Sequence, residues 1–199
     1  MKKLLEIPKV YDWFQQVAGG TRAREHFIRE HVRPQPGQRV LDIGCGTGAM
    51  RSFFPDVDYH GYDPSEAYIE QANREQPGQY TCKILTTENF LEAGQFDVVH
   101  STGVLHHLPD DQVLGLLSVG AKALKPGAKM FTLDGCHLAS ESWLEKTFLN
   151  MDRGKFVRPR EDFEALARTV FSDVTVYEYP RLFRPMPYPV LIMEMQNGN

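Results

Sequence analysis

Residues Val40–Met50 read VLDIGCGTGAM: a short apolar run, an acid within it, and glycines at 44, 46 and 48. The first five residues of this neighbourhood, RVLDI (39–43), have the composition of a buried strand, and a short helix is expected after the glycines. Glycine tolerates positive φ and removes the Cβ that would keep a ligand away from the backbone. In an open α/β sheet, ligands bind beyond the carboxyl ends of the strands. The stretch therefore predicts a strand–turn–helix unit lying against a nucleotide-like molecule; the plainer alternative is a tight turn with no ligand.

Working outward, apolar runs alternate with helical patterns. Strand-like runs occupy 39–43, 58–62, 80–85, 96–100, 128–133, 173–179 and 189–195. Helical patterns fall at 65–75, 110–124, 140–150 and 161–170, and two more lie in 10–32, broken at Gly19–Gly20. Pro109-Asp110-Asp111 opens the helix at 110 and Lys125-Pro126-Gly127 closes it. Such alternation predicts βαβ units and a parallel sheet covered on both faces. The segment YEYPRLFRPMPYP before the last run is too short and proline-rich for a crossover, so the last two strands are expected to be antiparallel neighbours.

At 199 residues, 42% hydrophobic and 24% charged, the chain suits a single compact domain, 1–199. A net charge of −4 argues against nucleic acid as partner. No apolar run approaches the roughly 18 residues of a membrane span, and Glu6 and Pro8 interrupt the start where a signal peptide would need an apolar core. Cys45, Cys82 and Cys136 are far apart and form no C-x-x-C pair, so neither disulfide nor zinc is expected and a cytoplasmic location fits.

Gly44, Gly46 and Ala49 also satisfy G-x-G-x-x-A, the dinucleotide fingerprint. Three features point elsewhere: Asp42 sits where it would repel a pyrophosphate, some 38 residues precede the motif, and the sheet is expected to finish antiparallel. VLDIGCGTG (40–48) resembles motif I of class I S-adenosylmethionine-dependent methyltransferases. YHGYDPS (59–65) resembles their second motif, FDVVHSTGVLHHLPD (96–110) their fourth-strand motif, and LKPGAKM (124–130) the segment before their fifth strand. The resemblance covers roughly 38–135. It implies a doubly wound, Rossmann-like α/β fold of seven mostly parallel strands with the last antiparallel and helices on both faces. It divides the domain into an N-terminal helical lid (1–36), a cofactor-binding half (37–135) and an acceptor-binding half (136–199).

The cofactor implied is S-adenosylmethionine, with S-adenosylhomocysteine as product. Gly44, Cys45, Gly46 and Gly48 form the turn. Asp63, 19 residues after Gly44, can accept from both ribose hydroxyls; an Asp-Pro turn capping the next helix is the local alternative and both can hold. Asp42 would favour the methionine ammonium through the turn backbone or a water. His100 and Ser101 end the fourth strand, where relatives offer a main-chain carbonyl to that ammonium. The adenine would rest against Pro64 or Ser65 and against 86–91, with Glu88 or Asn89 at its edge. Tyr11 and Phe14 would cover the reacting methyl from the lid, or form an ordinary core stripe.

Methyl transfer from a sulfonium asks the protein chiefly for alignment and exclusion of water. For a hydroxyl acceptor a histidine base would help, and His106 and His137 are the candidates, against plain structural roles. Adjacent positions on a helix point roughly 100° apart, so His106 and His107 are not expected to share a task. HSTGVLHH contains no acid, so no metal is expected. Arg153, Arg158, Arg181 and Arg184 make a basic region in an acidic chain, which predicts a small-molecule acceptor that is anionic, or sugar-like with a phosphate or carboxylate; a solvated charged face is the alternative. The rival functions are an NAD(P)-dependent oxidoreductase and an inactive cofactor-binding partner subunit. Nothing in the pattern signals an oligomer.

Overall fold

The computed structural model describes residues 20–152 and 154–198. One sheet runs through it in the order β3-β2-β1-β4-β5-β8-β7. The strands are β1 Arg39–Ile43, β2 Asp58–Asp63, β3 Gln79–Cys82, β4 Phe96–Thr102, β5 Leu124–His137, β7 Asp173–Tyr179 and β8 Val190–Gln196. Each of the seven expected runs is a strand, and an eighth, β6 (Arg158–Pro159), lies parallel to the end of β5 at Cys136 and His137. Strands β1 to β5 pair in parallel, whereas β8 is antiparallel to both β5 and β7. β1 leads to β2 on one side and is flanked by β4 on the other, so the order reverses there and opens a crevice at the carboxyl ends of β1 and β4.

Two cores form, one on each face of the sheet. On one face α3 (Asp110–Ala123) and α5 (Arg160–Arg168) bury Val113, Leu117, Ala123, Phe163 and Ala167 against Leu41, Val99 and Met130. On the other, α1 (Gly20–His26), its π-helical continuation Phe27–Val32 and α2 (Glu66–Glu75) bury Phe27, Ile28, Ile69 and Ala72 against Val40 and Tyr59. Covering both faces makes the central strands apolar nearly throughout: four of the five residues of β1 are buried. Segment 20–32, assigned from sequence to a lid, is thus packed into a core; the remainder of the lid, with Tyr11 and Phe14, lies outside the described residues. Ser65 caps α2 by accepting from the Tyr68 amide, and α4 (Trp143–Met151) opens on a capping box of Ser142 and Glu145.

Two strands outrun their predicted ends. β4 continues two residues past His100, and β5 continues to His137 instead of stopping at 133. Their polar tails find partners, one in the sheet and one in the turn 105–107. Ser101 Oγ donates to Ile43 O at 2.8 Å, and Asp134 receives the His106 imidazole. Among the described residues no helix is long and apolar enough to cross a membrane.

Candidate functional site

The glycines of the turn have different reasons to be glycine. A Cβ on Gly44 would collide with Val104, and one on Gly48 would press the Tyr80 ring at about 3.0 Å. At Gly46 the backbone has φ +54°, yet nothing lies within 4 Å of where a Cβ would stand. Gly44 and Gly48 thus make room for the protein itself, and Gly46 alone borders open space. The turn is also poor in free donors. The Gly44 and Cys45 amides both donate to Tyr62 O (2.7 and 3.1 Å), the Gly48 amide donates to Cys45 O (3.0 Å), and the Gly46 amide donates to Asp63 Oδ2 (3.0 Å). A pyrophosphate-binding turn needs such amides free. Cys45 is buried, with its thiol against Gly61, and burial raises its pKa strongly.

Asp63 ends β2 and is only 9% exposed. Its Oδ1 accepts from the Ser65 amide at 2.8 Å while Oδ2 accepts from Gly46. Burial raises its pKa against those two bonds. Each carboxylate oxygen has two lone-pair sites, so two remain beside Gly46's open flank. Pro64 is exposed next to it. The other adenine candidates are engaged locally: Asn89 Oδ1 accepts from the Thr86 amide and its Nδ2 donates to Ile84 O, while Glu88 is exposed and bonds Thr87.

Asp42 and His100 are fully buried on neighbouring strands. Tyr59 donates to Asp42 Oδ2 at 2.5 Å, His100 Nε2 stands 3.2 Å from the Tyr59 oxygen, and Phe54 stacks on the imidazole at 5.0 Å. Asp42 Oδ1 and His100 Nδ1 face each other at 3.5 Å without a hydrogen-bond partner. Burial pushes Asp42 up to about 7 and His100 down to about 3. The Asp42 carboxyl is enclosed beneath the turn, so its action on anything in the crevice passes through the turn. His100 and Ser101 sit inside the sheet with their side chains in the core, a correction to their placement at the strand's end: β4 gives out at Thr102 and Gly103.

His106 is buried, with Nδ1 2.8 Å from Asp134 Oδ1 and Nε2 3.7 Å from Asp152 Oδ1. Burial opposes its protonation, but the hydrogen bond and charge of Asp134, with Asp152 behind, raise its pKa overall. His107 is not turned away. Residues 105–107 form one 3-10 turn, and the two imidazoles lie 4.2 Å apart. His137 Nδ1 is 3.1 Å from the Glu141 carboxylate. No sequence spacing announced Asp134 or Asp152, which reach His106 only through the fold.

The basic region divides. Arg158 is not available to a ligand: its guanidinium donates to Asp110 Oδ1 and to the carbonyls of Leu105, Phe156 and Leu108. It ties β6 to the 105–110 turn. Arg153 lies outside the described residues. Arg181 and Arg184 are exposed, in the connection from β7 to β8. With Arg22, Glu25 and His26 of α1 and Arg29 of its π-helical continuation they line a cavity of about 630 Å³. Because β8 runs antiparallel to β5, this connection emerges at the sheet's carboxyl edge, on the side of the crevice.

A family model described as a methyltransferase domain matches residues 41–130. A ubiquinone biosynthesis O-methyltransferase of Sinorhizobium medicae is 34% identical over 159 residues, covering 70% of this chain and 63% of that protein. The chain spans only about half of several other relatives of that name. Among solved structures, a Haemonchus contortus phosphoethanolamine N-methyltransferase in complex with phosphomonomethylethanolamine and S-adenosylhomocysteine superposes with a TM-score of 0.69 at 20% identity, over 88% of this chain and 53% of that one. A TehB-like S-adenosylmethionine-dependent methyltransferase of Corynebacterium glutamicum gives 0.66 at 18% identity, over 96% and 97%. Both share the sheet described above.

Proposed function

The chain belongs to the class I S-adenosylmethionine-dependent methyltransferases, and on that premise we propose that it methylates a small-molecule acceptor. The observation that carries the proposal is the juxtaposition at the crevice: Gly46 with an open flank, beside a buried carboxylate with spare acceptor sites. A nucleoside fits there, with its ribose diol on Asp63 and its adenine toward Pro64. A donor-poor turn with an acid beneath it suits a cation better than a pyrophosphate, which disfavours the nicotinamide rival.

When bound, S-adenosylmethionine supplies a methyl group already activated by its sulfonium charge. The protein's share is then orientation and exclusion of water. Asp63 fixes the nucleoside and, through its bond to the Gly46 amide, the turn as well. Buried Asp42 places a titratable carboxyl below the turn. His106, held by Asp134, and His137, held by Glu141, are the catalytic candidates; His106 is the better fixed because its partner is itself buried.

Arg181 and Arg184, joined by Arg22 and Arg29, support an acceptor carrying an anionic group, bound through guanidinium forks. The phosphorylated ligand of the Haemonchus relative is consistent with that class. Transfer of radiolabelled methyl groups to a panel of paired neutral and phosphorylated amines, phenols and sugars tests both parts. Label on phosphorylated members in preference supports the proposal; equal labelling of each pair removes the anionic acceptor, and no labelling of any member removes the activity.

A further inference from the structure

The turn Leu105–His107 holds two imidazoles side by side, and Asp152 meets them from the residue after α4. One ligand atom each from His106, His107 and Asp152 lies within 4.8 Å of the other two. His106 Nε2 and Asp152 Oδ1 are 3.7 Å apart. Two ligands at about 2.1 Å from a tetrahedral metal stand about 3.4 Å apart, so a shift of a few tenths of an ångström would bring both into range.

A chance cluster of side chains has no reason to be aimed. Here two of the three donors are held from behind. His106 Nδ1 is held at 2.8 Å by Asp134 Oδ1, which presents Nε2 to Asp152, and a metal would displace any proton on that nitrogen. Asp152 receives the Tyr188 hydroxyl on Oδ2 at 2.6 Å and the Gly154 amide on Oδ1 at 2.8 Å. Outer carboxylates and hydroxyls of this kind orient metal-binding imidazoles and carboxylates. The loop is also built to sit close: a Cβ on Gly154 would collide with the His106 ring, and the Phe156 amide donates to His106 O at 3.0 Å. His107 is exposed, so the cluster opens to solvent on its side.

We propose that His106, His107 and Asp152 form a three-ligand site for a divalent transition metal, with an open coordination position. Two imidazoles and one carboxylate suit zinc best, and the same set accepts cobalt. The expectation of no metal looked for an acid near residues 101–107; the acid comes from residue 152, brought in by α4. A metal on Nε2 would occupy the lone pair that His106 needs as a base, so with the metal bound His106 is a ligand and His137 is the base candidate.

The test is calorimetric titration of the metal-stripped full chain with zinc chloride, with cobalt absorption as a second readout of coordination. One saturable site is expected, with cobalt bands of four- or five-coordinate geometry. His107→Ala and Asp152→Asn should each weaken zinc by at least about tenfold, and Asp134→Asn, behind His106, by about 10- to 100-fold. His107 is exposed, so its variant keeps the fold, as circular dichroism would verify. No saturable zinc binding at 100-micromolar-order concentrations, or affinity equal to the parent's in His107→Ala and Asp152→Asn, overturns the proposal. S-adenosylhomocysteine titrated into the same sample reads the other claim separately: a chain that takes the nucleoside and refuses zinc loses the metal site alone.

Discussion

Asp42→Asn should change how stability depends on pH, and the structure gives the size. The Asp42 carboxyl is fully buried, and burial lifts its pKa from 3.8 to about 7 in the folded protein. In the unfolded chain it returns to the usual carboxylate range. Between those values the folded state holds a proton that the unfolded state has lost, so stability falls as pH rises. The stabilisation is fully present below about pH 4 and is gone above about pH 7. About three pH units at 1.36 kcal/mol each come to about 4 kcal/mol. Asparagine fits the same space, can still accept from Tyr59, and offers an amide proton to the unpartnered His100 Nδ1. The difference in unfolding free energy between variant and parent should therefore move in the variant's favour with pH, at a slope near one proton, and level off above pH 7. Urea denaturation at half-unit steps from pH 4.5 to 8.5 measures it, and taking the difference cancels the other titrating groups. Parallel curves would refute the account of Asp42. A difference of opposite sign would mean that Asp42 and His100 form a buried ion pair, contrary to the lowering of His100 to about 3.

Other expected outcomes follow from the same geometry. Gly46→Ala places a Cβ in open space at φ +54°; it should cost only about 1–2 kcal/mol of stability but weaken S-adenosylhomocysteine by more than tenfold by calorimetry, and unchanged affinity would show that the flank is not the cofactor's. Arg158→Ala strands the carbonyls of Leu105, Leu108 and Phe156 and should lower stability by about 2–3 kcal/mol in chemical denaturation, with cofactor affinity intact in the folded fraction; a stable variant with impaired acceptor binding would return Arg158 to the acceptor site. Arg181→Ala with Arg184→Ala should leave stability within about 0.5 kcal/mol and raise KM for anionic acceptors with little change in kcat. Gly120→Ala pushes a methyl into Met130 and should cost about 1–3 kcal/mol of stability.

The sheet was legible because its strands are buried on both faces and so read as apolar runs. β1 and β7 have the predicted limits, and the antiparallel pairing of β7 with β8 follows from a connection too short for a crossover. The ends of β4 and β5 were not legible. Their terminal residues are polar, and only the fold supplies partners for Ser101 and Asp134. Asp63 was legible from its distance to the glycine turn. Its bond to the Gly46 amide was not, because that bond depends on β1 and β2 being in register from Arg39 and Asp58 onward. Counting arginines misassigned Arg158, since composition does not distinguish a guanidinium that satisfies four groups of its own protein from one that waits for an anion. The closeness of the His106 and His107 rings, 4.2 Å apart, was not legible either, because backbone spacing does not fix the side-chain rotamers that bring two adjacent imidazoles together.

The most direct test is calorimetric titration of S-adenosylhomocysteine into the parent protein and Asp63→Ala. One site with a Kd of about micromolar order is expected for the parent, and a loss of about 3 kcal/mol, about 100-fold, for the variant, from two charge-assisted ribose hydrogen bonds. Absence of binding at millimolar nucleoside, or equal affinity in the two proteins, would contradict it.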